Sequence, residues 1–332
     1  MRRVKEYIIV VINKSNLLLY IHNWVYKIIN YRKFLAEIKK RRRLSIFNYQ
    51  ELSKPVPFYP IVKTKDSNFY GYGYSIMRYA NCTCLPYSLE HGLHYANFIP
   101  KKFFYKTTKH IMTFSFERKK IIQSSINKKI IPIGPYIHYA KHYLTKQDII
   151  CIKRKFGRIL LVFPSHSTLE HTVDSHVNEF VSHVLYFKKK YDFDSVFVSL
   201  YFRDIQNSDL VKAYEKVGFH VVCSGHLYDP FFISRLKSII ALSDYTISNT
   251  VGTHLGYCIY MNKPHYILSN ADNTDFIQSN DNNLVNEINH IASFFTQYQK
   301  DITEEQWLAA NRYWGFNCIK SKEEMWNIIR GI

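Results

Sequence analysis

Acidic side chains are nearly missing from the first half of this 332-residue chain: residues 1–157 hold 7 Asp and Glu against 30 Lys and Arg. Cysteine is scarce, 6 in all, and its one close pair, Cys82 and Cys84, is a lone CxC without a second half. That excludes a disulfide-built scaffold and suits a reducing, cytosolic compartment. Neither GxGxxG nor GxxxxGK followed by Ser or Thr occurs, so the usual dinucleotide and P-loop sites are excluded. HExxH is absent too, because His166, His171 and His176 stand five apart rather than four. The apolar stretch over residues 7–29 is interrupted at 13–16 and again by His22 and Asn23, short of what a membrane-spanning helix needs. No small-residue cleavage site follows it, so a secretory leader is not expected. With 11 Gly and 10 Pro, the chain is neither a linker nor a fibre.

What the chain does have is charge of one sign, unevenly placed. The formal net charge is +19, yet residues 158–332 carry 15 Lys and Arg against 19 Asp and Glu. A basic half attracts anionic partners: nucleic acid, a membrane face or a polyanionic substrate. The first 50 residues alone hold 12 Lys and Arg. There Leu17, Leu18, Ile21, Trp24, Val25, Ile28 and Ile29 recur at helical spacing, and Lys39, Lys40, Arg41, Arg42 and Arg43 follow. Two readings stand: a helix lying on an anionic bilayer surface, or a helix packed on the protein's own core with a solvated basic end.

From residue 158 onward, apolar runs alternate with helical patterns. Strands are expected over 158–166, 195–202, 219–224, 245–248 and 265–268, with helices over 177–191, 207–217, 230–243 and 251–262, and closing helices after 304. Gly218 is a natural helix stop, and Pro230 suits a first helical turn. Such alternation indicates βαβ units and a parallel sheet. The first half is less regular: helices over 70–79 and 116–126, strands over 83–89, 109–115 and 129–133, and a boundary between 143 and 157. The expected organisation is a basic amphipathic segment at 1–50, an α/β domain at 51–150 and a second α/β domain at 151–332.

In open parallel sheets ligands bind beyond the carboxyl ends of the strands. The expected strand-to-helix turns there are rich in small polar residues and histidine: Ser165, His166 and Ser167; Arg203; His226; then Ser248, Asn249, Thr250, Gly252, Thr253 and His254. The last group runs into a helix, whose opening N–H groups suit an anion such as a nucleotide diphosphate, with Gly252 letting it approach the backbone. An ordinary N-cap by Ser248 or Thr250, with His254 merely packed, uses the same residues. In the first half Glu90, His91, Gly92 and His94 follow a strand. Glu90 could act as a general base or orient His91 for that task, and a capped turn accounts for them equally. Tyr136 and His138 follow the next strand and line the same cleft or pack a turn. Asp192 and Asp194 flank Phe193 and read as a solvated turn, so no metal is expected.

The stretches at 88–92 (SLEHG), 132–140 (PIGPYIHYA), 163–167 (FPSHS) and 247–257 (ISNTVGTHLGY), with the NKP at 262–264, together resemble bacterial surface-polysaccharide glycosyltransferases of the two-Rossmann-domain (GT-B) type. The resemblance covers roughly residues 80–270. It implies two Rossmann-like domains facing a central cleft, and transfer of a sugar from a nucleotide-sugar co-substrate to a glycan or lipid-linked acceptor, without a metal or other cofactor. It puts the donor against Ser165, His166, Ser167, Arg203, His226 and residues 248–254. The acceptor falls beside Gly92, His94, Tyr136 and His138, with Glu90 or His91 as the base. The paired acidic residues that many relatives use to hold the donor are not evident, since Leu255, Gly256, Tyr257 and Cys258 stand in the expected helix. The implied place of work is the cytoplasmic face of the plasma membrane. A sugar- or polyol-phosphate polymer transferase would share the architecture. A nucleic-acid-binding protein would explain the charge, but no zinc finger, RRM signature or helix-turn-helix supports it, and no nucleic acid is expected.

Overall fold

The structure, a computed structural model of the chain, describes residues 10–165, 177–268 and 281–331. Helix α1, Asn16–Arg41, starts behind Ser15, whose hydroxyl accepts from the Leu18 N–H. It closes on Lys39, Lys40 and Arg41, charges that favour the helix C-terminus. After α2, Tyr49–Ser53, and α3, Tyr72–Tyr79, comes the first sheet. Its parallel strands are β1, Tyr87–Leu89; β2, His110–Thr113; and β3, Lys129–Pro132, with α4, Phe116–Gln123, between the last two. Helix α5, Lys146–Phe156, leads to the second unit.

The second unit alternates as expected: β4, Ile159–Phe163; α6, Val177–Lys190; β5, Ser195–Ser199; α7, Ser208–Lys216; β6, His220–Val222; α8, Phe232–Leu242; β7, Tyr245–Ser248; α9, Thr253–Tyr260; and β8, His265–Ile267. Helices α10, Asn282–Ser293; α11, Glu304–Trp314; and α12, Lys322–Arg330, follow. All pairings are parallel and the spatial order is β6-β5-β4-β7-β8. Strand β4 is buried at every position, as a central strand covered on both faces must be. The chain builds outward from β4 to β6, then crosses back to β7, so the connections diverge between β4 and β7. That is where an open α/β sheet leaves a crevice. The two Rossmann-like α/β units therefore face each other as expected.

The span expected to hold the boundary, 143–157, contains α5, fixed by a Thr145–Asp148 capping box. Two features depart from the sequence reading. The closing helices do not stay with the second unit. Tyr87 Oη donates to the Ile328 carbonyl (2.8 Å), and Tyr79 Oη donates to that of Lys320 (3.1 Å). One hydrophobic core joins Leu89 and Phe114 of the first unit to Ile159 and Leu236 of the second and to Trp314 of α11. The helix expected from residue 70 starts at Tyr72, because Tyr70 and Gly71 take φ +54° and +67°. A Cβ on Gly71 would lie 2.3 Å from the Pro230 carbonyl oxygen, so that close approach between the units requires glycine.

The N-terminal helix packs one face on the protein and leaves the other exposed. Leu19, Phe34, Ile38 and Arg41 of α1 are buried. Arg41 donates to Glu37 (2.7 Å), the Leu52 carbonyl (2.8 Å) and Asp229 (3.1 Å). Asp229 also accepts from Arg235 (2.7 Å), whose other nitrogen donates to the Arg41 carbonyl (3.0 Å). All three of Arg41, Asp229 and Arg235 are fully buried, so deleting one partner would cost about 3–5 kcal/mol. The outer face carries Leu17, Tyr20, Ile21, Trp24, Ile28 and Ile29, all exposed. Among the described residues no helix is long and apolar enough to cross a membrane.

Candidate functional site

A cleft of about 340 Å³ lies between the two units, at the carboxyl ends of β4, β5, β6 and β7. From the second unit it is walled by Phe163 and Pro164, by Ser199 and Tyr201, by Ser224, and by Thr250, Gly252, Thr253 and His254. From the first unit it takes Tyr70, Tyr72, His91 and Gly92. It therefore opens where β4 and β7 diverge, the position that chain topology favours for a ligand.

Helix α9 starts on this wall. Its N-cap, Gly252, offers no side chain, so the first-turn N–H groups are not capped by one. The Thr253 hydroxyl looks outward instead, accepting the Leu93 N–H at 3.0 Å. That bond ties the loop after β1 directly to the helix opening. From behind, the Trp314 indole donates to the Thr253 carbonyl (3.0 Å), and Gly256 lies so close to the indole that a Cβ would fall within it. The His254 ring stacks on Phe163 with centroids 4.6 Å apart. The result is a rigid corner at which a helix opening presents backbone N–H groups.

His91 stands opposite. Its ring stacks on Tyr70 (5.0 Å) and meets the edge of Phe69 (4.8 Å). Burial, with a smaller push from Lys102, drives its pKa down to about 3, so the imidazole is neutral at neutral pH. Its Nδ1 and the Oγ of Ser224 are buried polar atoms with no hydrogen-bond partner among the described residues. Both belong to residues that line the cleft. A second cavity, about 470 Å³, lies on the other side of the same imidazole and is lined by His94 and by residues of α1.

Several expected site residues take other roles. Glu90 is fully buried; it accepts from Arg118 (Nε at 3.0 Å) and from the Thr113 hydroxyl, so it anchors the loop and cannot serve as an open base. Tyr136 is buried beneath the first sheet, stacked on Phe114 at 4.4 Å. His138 turns away to the Tyr260 hydroxyl (2.6 Å) and borders neither cavity. Ser248 is buried and bonds the Thr250 carbonyl (2.7 Å) and His265 (3.0 Å), shaping the loop from below. Asn249 accepts from the N–H and hydroxyl of Ser165 (2.7 and 2.9 Å), clamping two strand-end loops just outside the cleft. Arg203 lies over Phe202 and does not line the cleft. His226 accepts from the N–H groups of Val56 (3.3 Å) and Tyr228 (3.2 Å), and burial lowers its pKa to about 4. His166 and Ser167 lie outside the described residues.

Other residues of the site escaped the sequence reading. Tyr70 and Tyr201 bridge the units through their hydroxyls (3.2 Å), and Tyr257 completes the walls beside Ser224, the polar strand-end residue that the sequence did point to. The cue was present in the aromatic and glycine run at 69–74, which reads as helix when only its periodicity is weighed. Asp192 and Asp194 do form a turn: Asp194 accepts the Arg158 N–H (2.6 Å) and Asp192 takes φ +56°. Among the described residues no group of three or more His, Cys, Asp or Glu is arranged to hold a metal ion.

No family model matches the chain, and no curated protein matches its sequence. Solved structures do resemble it in fold. The pneumococcal O-GlcNAc transferase GtfA, in complex with UDP and GlcNAc, is 12% identical over 75% of this chain and 52% of its own, with a TM-score of 0.37. The UDP-GlcNAc 2-epimerase of Neisseria meningitidis, bound to UDP-GlcNAc, is 14% identical over 68% of this chain and 60% of its own, at 0.33. A glycosyltransferase of Rickettsia africae is 16% identical over 73% of this chain and 70% of its own, at 0.35. The chain thus spans between half and two thirds of the length of the first two. The site described above stands on its own side chains and not on this likeness.

Proposed function

We propose that this protein is a glycosyltransferase that moves a sugar from a nucleotide-linked donor to a glycan or lipid-linked acceptor, in the assembly of a bacterial surface polysaccharide. The observation that carries the reading is the pairing in one cleft of an uncapped helix opening with a neutral, unpartnered imidazole, held together by the Thr253–Leu93 bond. The donor diphosphate lies against the first turn of α9, whose N–H groups meet the charge that grows on the leaving phosphate. Without acidic residues on that helix, backbone dipoles carry the task, and the reading needs no metal. The acceptor oxygen bonds to the anomeric carbon as the bond from that carbon to the diphosphate oxygen breaks. The electron pair leaves on the phosphate, and the hydroxyl proton passes to His91 once the bound diphosphate's negative charge has raised the pKa that burial holds at about 3.

The outer face of α1 belongs to the same reading. Exposed Trp24, Ile28 and Leu35 share it with the basic residues Arg32, Lys39 and Arg42 at helical spacing, a pattern that suits an anionic bilayer. The protein is then peripheral on the cytoplasmic face of the plasma membrane. Trp24→Ser with Ile28→Ser should release the full chain from anionic liposomes without lowering its melting temperature; unchanged sedimentation overturns the membrane part.

The donor part is tested by thermal shift with UDP, CDP, GDP, CMP and inorganic phosphate. One nucleotide should stabilise selectively, by about 2.7 kcal/mol at a hundredfold excess over Kd. No shift with any nucleotide overturns it.

A further inference from the structure

The second cavity shares one wall with the donor cleft, the ring of His91, and its chemistry is different. It holds three cationic side chains, Lys65, Lys101 and Lys102, against a single acid, Asp66. Lys102 is held deep inside, donating to the Leu89 carbonyl (2.8 Å) with Asp66 at 3.3 Å, and burial lowers its pKa. His91 and His94 are both pushed to about 3 by burial and add no charge at neutral pH. The cavity is therefore cationic by a net two charges, with Lys102 paired to Asp66 inside and Lys65 and Lys101 exposed at its rim. The opposite wall comes from α1 and the turn before it, through Ile12, Leu19, His22 and Asn23. The neighbours of these residues, Leu18, Tyr20, Ile21 and Trp24, are exposed apolar side chains on the outside of the same helix. The cavity wall thus continues directly into an apolar surface.

We infer that this cavity is a binding site for an amphiphilic acceptor: a phosphate-bearing head seated among Lys65, Lys101 and Lys102, with its apolar chain leaving along α1. This rests on the donor reading above and names the acceptor class for it. A glycan carried on a lipid phosphate presents its hydroxyl to His91 from this side, while the donor occupies the other. One imidazole then faces both substrates, since His91 lines both cavities.

The test uses the full chain and dodecyl phosphate below its micelle-forming concentration, titrated by calorimetry. Saturable binding of one molecule per chain is expected. Inorganic phosphate should bind at least tenfold more weakly, and dodecyl maltoside, which has the chain without the charge, at least tenfold more weakly too. Asn23→Trp, which fills the cavity from α1, and Lys65→Glu with Lys101→Glu, which reverses two surface charges, should each weaken dodecyl phosphate tenfold or more. Tyr186→Ser, an exposed aromatic on α6 that lines neither cavity, should leave it within twofold. Absence of saturable binding overturns the inference. So does equal binding of inorganic phosphate, which marks a free-anion site, or equal binding of the maltoside, which marks a detergent-coated helix. Binding that neither cavity variant weakens also overturns it. Nucleotide titration of the same samples separates the two readings: dodecyl phosphate bound with no nucleotide bound rejects the donor cleft and leaves the lipid-phosphate site.

Discussion

The two cavities on either side of His91 are built by opposite means. The donor-side cleft is walled by strand ends, hydroxyls and aromatic rings, and its electrostatics come from the backbone at the start of α9. The α1-side cavity is walled by irregular chain and one helix, and its electrostatics come from lysine side chains. Backbone dipoles placed by a sheet are rigid and suit a charge that develops during reaction. Lysines on loops hold a charge that is already present. On the proposed function, one cavity would stabilise a leaving group and the other would retain a substrate.

Removing the shared wall is the strongest way to break this comparison. His91→Ala should lower turnover about 10²–10⁴-fold while nucleotide affinity persists. A folded variant with full activity would remove the proposed base. Next comes the support beneath the wall. Arg118→Leu leaves the fully buried Glu90 carboxylate without its ion pair, an expected loss of about 3–5 kcal/mol that urea unfolding would register. A loss below 1 kcal/mol would mean Glu90 is not anchored as described.

Acid should act on both sides of the wall at once. His91 and His94 titrate near 3, His226 near 4 and His265 well below its usual value, each chiefly because of burial. Below pH 6.5 the unfolded chain takes up protons that these folded sites refuse, so stability falls from there toward pH 3–4. The melting temperature should drop measurably between pH 7 and pH 5; a flat profile would show that these rings are protonated when folded. The smallest effect belongs to the tie between the units. Thr253→Val removes the acceptor for the Leu93 N–H and should cost about 1 kcal/mol. It should also weaken nucleotide-dependent turnover more than nucleotide binding, and equal losses in both would make Thr253 a donor contact only.

Local pattern carried the second unit. The run ILLVF at β4, the Gly218 stop and the helix that opens just after Thr250 are all readable, because burial on both faces and helix ends leave marks within a few residues. The charge division and the two-sided character of α1 were also visible. Roles within the site were less so. Glu90 and His91 are neighbours in sequence, yet one meets Arg118, 28 residues away, and the other faces two cavities. His138 reads like a cleft histidine until Tyr260 takes it.

By itself the sequence determined the alternation of strands and helices, the basic first half and the loops at the strand ends, since each follows from composition or short-range periodicity. Tertiary structure decided which polar side chains face a ligand. That choice depends on partners brought from distant positions, and a buried carboxylate or imidazole takes whatever charge or ring the fold places beside it.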